Sequence, residues 1–298
     1  MKSFIGITGT TCVGKSQVAV ELAKKLNREV ISADSMQIYR GMDIGTAKIT
    51  DCEMQGVTHH LLDVAEPNED FSAFQYRQLA TEIIDKCQLP PIVVGGTGLY
   101  FDSIVYPPEF GVVDKSRRAE LQKILQEEGL VVLQNILQGL DSETYNAIDV
   151  KNPVRVIRAI EIAENGGKRI KGTGKSHPQY DCKLFVLTRD RESLYKMINN
   201  RVDSMMANGL LQEVEKIVKT YGICNTPAFN AIGYKEIISF LQGNCTLEQA
   251  VEQIKIDTRH YAKRQITYFK KMNVTAFIEV DNLNCGEIAS KIAKLLDA

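Results

Sequence analysis

The chain has 298 residues, of which 36 are Lys or Arg and 37 are Asp or Glu, so its formal net charge at pH 7 is −1. This length allows an α/β core together with a second, smaller unit. A nearly neutral chain is not basic over its whole surface, so any nucleic-acid-binding surface must be local.

The seven cysteines form no C-x-x-C pair and have no Cys–His spacing typical of a metal site. Such a scattered, odd-numbered set predicts reduced thiols rather than a disulfide framework. No apolar run approaches the length of a membrane span, and Met1-Lys2 leads directly into the first predicted strand. We therefore expect a cytoplasmic protein with no signal peptide and no membrane partner.

The first element is an apolar run, Phe4–Thr8, that predicts a strand, and Ser16–Leu26 predicts a helix after it. The G-x-x-x-x-G-K-[ST] motif lies at this junction and consists of Gly9, Thr10, Thr11, Cys12, Val13, Gly14, Lys15 and Ser16. In this strand–loop–helix setting the motif predicts a di- or triphosphate site. Backbone amides and the helix N-terminus would surround the phosphates, Lys15 would add a positive charge, and the Ser16 hydroxyl would bind Mg²⁺. The alternative is an ordinary glycine-rich turn.

Strands are next predicted at Glu29–Ser32 and Ile92–Val94, with a helix at Ala73–Cys87 between them. This alternation predicts a parallel sheet, which places Asp34 and Thr97 at the carboxyl ends of their strands, where α/β sheets bind ligands. A nucleotide hydrolase would usually have an acid after the later strand, but Gly95–Gly98 follows it here. Asp34 is instead predicted to lie beside the phosphates, as a water-mediated Mg²⁺ ligand or a general base. Alternatively, it caps the next helix.

The pattern becomes helical after Tyr106-Pro107-Pro108, and an apolar run at Leu184–Leu187 predicts a return to the sheet. Helices are predicted at Ser116–Glu128, Val131–Gln138 and Pro153–Glu164. We therefore predict a catalytic core formed by residues 1–112 and 181–298 and a helical insertion domain at 113–180. The rest of the chain after Leu187 is expected to be largely helical.

Several longer motifs resemble the tRNA dimethylallyltransferase (tRNA isopentenyltransferase) family. They run in order from the phosphate loop to about residue 270 and comprise ISADSMQIYRGMDIGTAK (31–48), HHLLD (59–63), VGGTGLY (94–100), NPVRVIRAIE (152–161), AIGYKE (231–236) and TRHYAKRQ (258–265). The long stretch around Asp34 is highly specific, whereas the phosphate loop alone is not. The resemblance implies a P-loop-containing NTPase-like core with a parallel sheet flanked by helices, plus a helical insertion domain.

The resemblance also implies a reaction. Members transfer a dimethylallyl group from dimethylallyl diphosphate to N6 of the adenosine 3′-adjacent to the tRNA anticodon, and diphosphate is released. Asp34 would accept the proton of the attacking amine, and Mg²⁺ would accompany the diphosphate. The catalytic residues implied by the motifs are Asp34, Thr97, Arg201 and Lys15. Thr97 would contact the diphosphate, and Arg201 would stabilise the leaving group; apart from the family match, Arg201 reads as a surface residue of a helix.

The tRNA anticodon stem-loop would be held by residues of the Asp34 segment, the helical insertion and a basic C-terminal helix. These are Asp34, Ser35, Met36, Gln37, Val154, Arg155, Val156, Ile157, Arg158, Arg259, Lys263 and Arg264. In the C-terminal helix, Ala262, Ile266 and Phe269 are predicted to form the buried stripe, with basic residues around it. A solvated basic face would have the same pattern. A weaker basic patch at Lys168–Lys175 could be only a linker.

Three departures from the family pattern, at Thr10, Ile49 and Tyr268, remove no reacting group. No C-x-x-C pair occurs near the C-terminus, so the zinc-finger extension of eukaryotic members is missing and a compact, bacterial-type monomer is expected. The adjacent residues His59 and His60 have diverging side chains and are not expected to bind a metal. Two alternatives remain: a small-molecule kinase of the nucleoside monophosphate kinase type, and a non-catalytic RNA-binding NTPase.

Overall fold

The computed structural model describes residues 2–106, 114–165 and 178–297. The described chain falls into two compact units, one of residues 1–105 and 179–298 and the other of residues 106–178. The predicted boundary at residue 113 lies outside the described residues.

The first unit contains one six-stranded sheet, in which every pairing is parallel and the strand order is β3-β2-β4-β1-β5-β6. Its strands are β1 (Ser3–Gly9), β2 (Val30–Ser32), β3 (His59–His60), β4 (Ile92–Val94), β5 (Asp181–Thr188) and β6 (Ala276–Glu279). The helices of this unit are α1 (Lys15–Leu26), α2 (Asp51–Met54), α3 (Ala73–Lys86), α4 (Gly98–Val105), α9 (Arg191–Ala207), α10 (Leu210–Tyr221), α11 (Tyr234–Leu241), α12 (Leu247–Phe269) and α13 (Cys285–Leu296), and the second unit contains α5 (Lys115–Glu127), α6 (Leu130–Leu140), α7 (Ser142–Ala147) and α8 (Pro153–Glu164). The predicted parallel sheet is confirmed.

Alternate residues of the central strands belong to two different hydrophobic clusters. Ile5 and Ile7 pack with α1 and α13, whereas Phe4 belongs to the cluster that includes residues of α3, α10, α11 and α12. Both faces of the sheet are therefore covered, which is why its central strands are continuous apolar runs rather than alternating ones. None of the helices in the described part of the chain combines the length and the hydropathy needed to span a bilayer.

Strands β3 and β6 were not predicted. β3 has only two residues, and both of them, His59 and His60, are polar. β6 lies at the other edge of the sheet, where Phe277 is 53% exposed. Neither strand carries the long apolar pattern that identifies the central strands, so only pairing with β2 or β5 reveals them.

The second unit has a small core of its own on the inward faces of α5, α6 and α8. It consists of Leu121, Leu133, Leu137, Val156, Ile157, Ala159 and Ile160. Glu161 is buried beside this core and accepts paired hydrogen bonds from Arg118 at 2.7 and 2.8 Å. A third bond, from Arg158, completes an internal charge cluster.

Candidate active site

The phosphate loop connects the carboxyl end of β1 to the first turn of α1. Cys12 and Gly14 both adopt left-handed backbone conformations, with φ of 62° and 91°. Around Gly14 there is open space, since a Cβ built there would meet nothing closer than Gln17 Oε1 at 4.0 Å. The loop therefore curls around the N-terminus of α1 in the way that a bound anion requires.

Lys15 begins α1, and its ammonium group donates to the Thr10 carbonyl at 2.7 Å. Burial lowers the pKa of Lys15 to about 8; Asp34 opposes this shift and Arg201 adds to it. A lysine that has lost hydration and lies near a second cation gains strongly from a bound anion.

Asp34 follows β2 and is partly exposed. Its Oδ1 accepts hydrogen bonds from the amides of Met36 at 2.9 Å and Gln37 at 3.4 Å. This oxygen caps the turn at residues 35–38, and no helix follows it directly, so Asp34 does not cap a helix as the alternative from the sequence supposed. Within the described residues nothing donates a hydrogen bond to Asp34 Oδ2. This second oxygen is therefore available in the site as an acceptor.

Thr97 follows β4, and its hydroxyl connects to the Asp34 segment. Thr97 Oγ1 accepts from the Ser35 amide at 3.1 Å and lies 3.3 Å from the Ser35 hydroxyl. Tyr261 of α12 is a further hydrogen-bonding neighbour of Thr97, and burial, together with nearby Asp34, raises the pKa of this tyrosine. Thr97 thus holds the backbone next to Asp34, and its predicted contact with the diphosphate stays a prediction.

Arg201 extends from α9 across the phosphate loop. Its guanidinium donates to Thr11 Oγ1 at 3.4 Å and to the Thr46 carbonyl at 3.2 Å. Within the described residues, neither Arg201 nor Lys15 has a carboxylate in ion-pair contact. Two cations without such a partner on either side of an amide-lined loop form a site for an anionic group.

Gln265 is a site residue that the sequence analysis missed. It is buried in α12, where its Oε1 accepts from the Thr11 amide at 2.8 Å and its Nε2 donates to the Gly96 carbonyl at 2.9 Å. One side chain therefore fastens the phosphate loop to the loop after β4. The prediction that Ile266 lies in the buried stripe of α12 was wrong: Ile266 is 38% exposed, and Gln265 takes its place beside Ala262 and Phe269.

These groups surround a cavity of about 590 Å³ in the first unit. Its polar lining includes Lys15, Ser16, Asp34, Gln37 and Arg201. Another part of the lining is apolar and consists of Met197, Ile198, Val202, Met205, Ile232 and Ile254. The cavity therefore offers a cationic region, a carboxylate and a hydrocarbon surface to the same ligand.

Among the predicted residues of the C-terminal helix, Lys263 and Arg264 are exposed, and Arg264 lies over the Tyr261 ring, 5.7 Å from its centroid. Arg259 instead makes contacts within the protein: it donates to Asn199 Oδ1 at 2.8 Å and pairs with Glu252 at 3.1 Å. Arg259 is thus already engaged in holding α12 to α9.

The predicted tRNA-binding residues of the second unit likewise include both exposed side chains and side chains engaged within the unit. Val154 is 74% exposed, but Val156 and Ile157 are buried in the core of the unit, so their side chains are not available to a surface ligand. Arg155 lies 3.7 Å from Asp149, and Arg158 bonds Glu161 at 3.0 Å. Burial alone would raise the pKa of Glu161, but the hydrogen bonds from Arg118 and Arg158 hold it below its ordinary value. The Lys168–Lys175 patch lies outside the described residues.

The histidines and cysteines form no metal centre in the part of the chain that the structure describes, where no group of three or more His, Cys, Asp or Glu side chains is placed to hold an ion. His60 Nε2 lies 2.7 Å from Glu29, and His59 Nδ1 lies 2.9 Å from the Val57 carbonyl. All seven cysteines are free thiols.

Comparison with known proteins gives concordant results. The family model described as IPP transferase matches residues 37–272. The tRNA dimethylallyltransferase of Clostridioides difficile (strain 630) is 44% identical over 297 residues, covering 96% of this chain and 94% of the relative.

Two solved structures are also similar. The full-length tRNA isopentenylpyrophosphate transferase from Bacillus halodurans is 40% identical, with a TM-score of 0.74 and coverage of 100% of this chain and 97% of that one. A eukaryotic dimethylallyltransferase, described as acting on tRNA, is 28% identical, with a TM-score of 0.82 and coverage of 98% and 78%. Since the family model spans most of the chain and its relatives match it almost from end to end, this chain belongs to the IPP transferase family, as its motifs predicted.

Proposed function

We propose that this protein transfers a dimethylallyl group from dimethylallyl diphosphate to N6 of the adenosine 3′-adjacent to the anticodon in tRNA and releases diphosphate. The observation that carries the proposal is the composition of the cavity, where the cations Lys15 and Arg201, the carboxylate of Asp34 and an apolar wall face the same space. In a five-carbon allylic diphosphate, the diphosphate matches the cations and the hydrocarbon chain matches the apolar wall. The carboxylate of Asp34 can accept the proton that an attacking amine loses.

The diphosphate binds at the phosphate loop, between Lys15 and Arg201. As the allylic C–O bond breaks, negative charge moves onto the diphosphate oxygens. Fixed cations at that position stabilise the transition state more than the ground state, and each such group typically contributes about 10²- to 10³-fold to the rate.

Mg²⁺ fits this arrangement as a companion of the diphosphate. Ser16 provides a hydroxyl at the cavity wall next to Lys15, and Asp34 provides a carboxylate in the same cavity. Mg²⁺ usually keeps several waters and binds through substrate phosphates and one or two protein oxygens, so a dedicated protein cage is not required. When bound, the ion neutralises part of the leaving-group charge.

The transfer step is a displacement at the allylic carbon. The N6 lone pair of adenosine forms the new N–C bond while the C–O bond to diphosphate breaks. Asp34 accepts the proton that the nitrogen loses, through the carboxylate oxygen that does not cap the turn. Its other oxygen stays bonded to the Met36 and Gln37 amides and so fixes the orientation of the carboxylate.

The tRNA is bound by local positive charge, because the chain as a whole is almost neutral. Exposed Lys263 and Arg264 are the proposed contacts of α12, and Arg155 and Arg158 those of α8. Val156 and Ile157 support these arginines from within the core. The adenosine must leave its stack to reach Asp34, as in other enzymes that act on a base. Magnesium, the individual contacts and action as a monomer in the cytoplasm are all parts of this proposal.

The proposal is tested by incubating the protein with unmodified tRNA, dimethylallyl diphosphate and Mg²⁺ and then measuring nucleoside masses. We expect one adenosine per substrate tRNA to gain a dimethylallyl group. Asp34→Asn should lower turnover by about 10²- to 10⁴-fold, the range for loss of a general base. Asp70→Asn, a matched change at an exposed acid, should have no effect.

Near-normal turnover by Asp34→Asn would remove Asp34 from its role. Absence of any modified nucleoside, together with phosphate transfer from ATP to a small acceptor, would favour the nucleoside monophosphate kinase alternative, which the comparisons do not support.

A further inference from the structure

Glu213 of α10 binds the backbone of the loop at residues 43–48, which we call the 43–48 loop. Its Oε2 accepts hydrogen bonds from the amides of Asp43 at 2.9 Å and Ile44 at 2.8 Å. Its Oε1 accepts from the Gly45 amide at 3.1 Å and from the Tyr234 hydroxyl at 2.6 Å. Successive amides that converge on one carboxylate form an anion-binding nest, here filled by the protein itself.

Close packing fixes the same loop from the other side. A Cβ added at Gly45 would lie 2.5 Å from a ring carbon of Tyr234 and would push aside the ring whose hydroxyl donates to Glu213. Burial, together with nearby Glu213, raises the pKa of Tyr234 far above its ordinary value, so this hydroxyl stays a donor.

Two neighbouring carbonyls of the 43–48 loop hold side chains of the cavity. The Thr46 carbonyl accepts from Arg201 Nη2 at 3.2 Å. The Ala47 carbonyl accepts from Gln37 Nε2 at 3.2 Å, and the same amide group lies 3.4 Å from the Thr46 carbonyl. This short loop therefore holds one side of both Arg201 and Gln37.

We infer that Glu213 is a positioning residue for the transfer reaction: by shaping the 43–48 loop, it places Arg201 against the diphosphate and Gln37 on the acceptor side of the cavity. This inference rests on the function proposed above. Glu213 lies outside the set that lines the cavity and acts through the Thr46 and Ala47 carbonyls.

The nest requires a carboxylate, because four donors share its two oxygens. A glutamine has one acceptor oxygen, and its NH₂ group would face an N–H or O–H donor. The loop would still be attached at Lys48, whose ammonium bonds the Tyr39 carbonyl at 2.7 Å and pairs with Asp43 at 2.7 Å. Loss of the carboxylate should therefore displace the loop without unfolding the unit.

The experiment measures the binding of inorganic pyrophosphate by calorimetry and the kinetics of tRNA modification. Glu213→Gln is expected to weaken pyrophosphate and to lower kcat/KM, each by about 10- to 100-fold, the usual loss for hydrogen bonds to a charged group. Glu215→Gln is the matched control, since Glu215 lies exposed on the same helix. Equal affinity in Glu213→Gln, Glu215→Gln and the natural sequence would overturn the inference.

A double-mutant cycle with Arg201→Ala separates positioning from a general loss of stability. If Glu213 acts through Arg201, Glu213→Gln should cost little further pyrophosphate affinity in the Arg201→Ala background. Additive losses would overturn the inference. If Glu213→Gln fails to fold, Tyr234→Phe removes one donor and keeps the ring, and the same cycle applies: an additive or absent effect overturns the inference.

Failure of the proposed function is distinguishable from failure of this inference. The natural sequence would then yield no modified nucleoside, whereas pyrophosphate binding and its dependence on Glu213 are measured without tRNA.

Discussion

Replacement of Gln265 by leucine tests how the phosphate loop is held in place. Gln265 is only 4% exposed, and both ends of its amide bond to backbone groups, the Thr11 N–H and the Gly96 carbonyl. Leucine fills a similar volume but satisfies neither group. A buried polar group left without a partner costs about 1–3 kcal/mol, so two would cost about 2–6 kcal/mol.

The location of the Thr11 N–H and the Gly96 carbonyl narrows this estimate of the loss in stability. Thr11 and Gly96 both line the cavity, so water can replace part of what is lost. We therefore expect Gln265→Leu to lower the free energy of unfolding by about 2–3 kcal/mol and to weaken pyrophosphate as the loop loosens.

Urea unfolding followed by circular dichroism, together with calorimetry of pyrophosphate, provides the assay. Gln253→Leu is the control, because Gln253 is exposed on the same helix, and its change should stay within about 0.5 kcal/mol. Gln265→Glu is a second probe: it keeps an acceptor for Thr11 but places a carboxylate oxygen against the Gly96 carbonyl and a negative charge beside the diphosphate. Unfolding free energies of Gln265→Leu and Gln253→Leu that agree within about 0.5 kcal/mol would refute the reasoning.

Two further predictions concern charge. Burial lowers the pKa of Lys15 to about 8, so pyrophosphate affinity should be highest below pH 8 and fall as the pH rises through that value; Lys15→Arg, which stays charged, should remove this step, and an unchanged profile would contradict the assignment. Lys263→Ala should weaken all tRNAs alike and reduce the slope of log affinity against log salt by about one unit or less, whereas Lys291→Ala on α13 should not. A slope equal to that of the Lys291 variant would remove Lys263 from the interface.

Where the chain signals its structure locally, the sequence predicted it well. The predicted strands at Phe4–Thr8, Glu29–Ser32 and Ile92–Val94 correspond to β1, β2 and β4, and the helix predicted at Pro153–Glu164 has the observed bounds. These are buried apolar runs and capped helices, whose signals lie within the segment itself. The edge strands β3 and β6 were not predicted, because pairing with a neighbouring strand, rather than their own composition, makes them strands.

Side-chain roles show the same division. The motif residues Lys15, Asp34 and Arg201 lie around one cavity, as the strand-end argument and the family resemblance predicted. Gln265 was missed because a glutamine in an apolar stripe is locally indistinguishable from a surface residue. Val156 and Ile157 were assigned to the tRNA surface because a motif was carried over as a whole, without regard to which side of the helix is buried.

By itself, the sequence determined the parallel α/β core, the phosphate loop and the family to which this chain belongs, because short-range patterns and specific motifs encode them. Only the tertiary structure decided which polar groups meet across long separations in the chain. Thr11 and Gln265, or Gly45 and Glu213, come together through the packing of α12 and α10 against the sheet. Such contacts depend on where whole elements pack, and a segment's own residues carry no record of its distant partner.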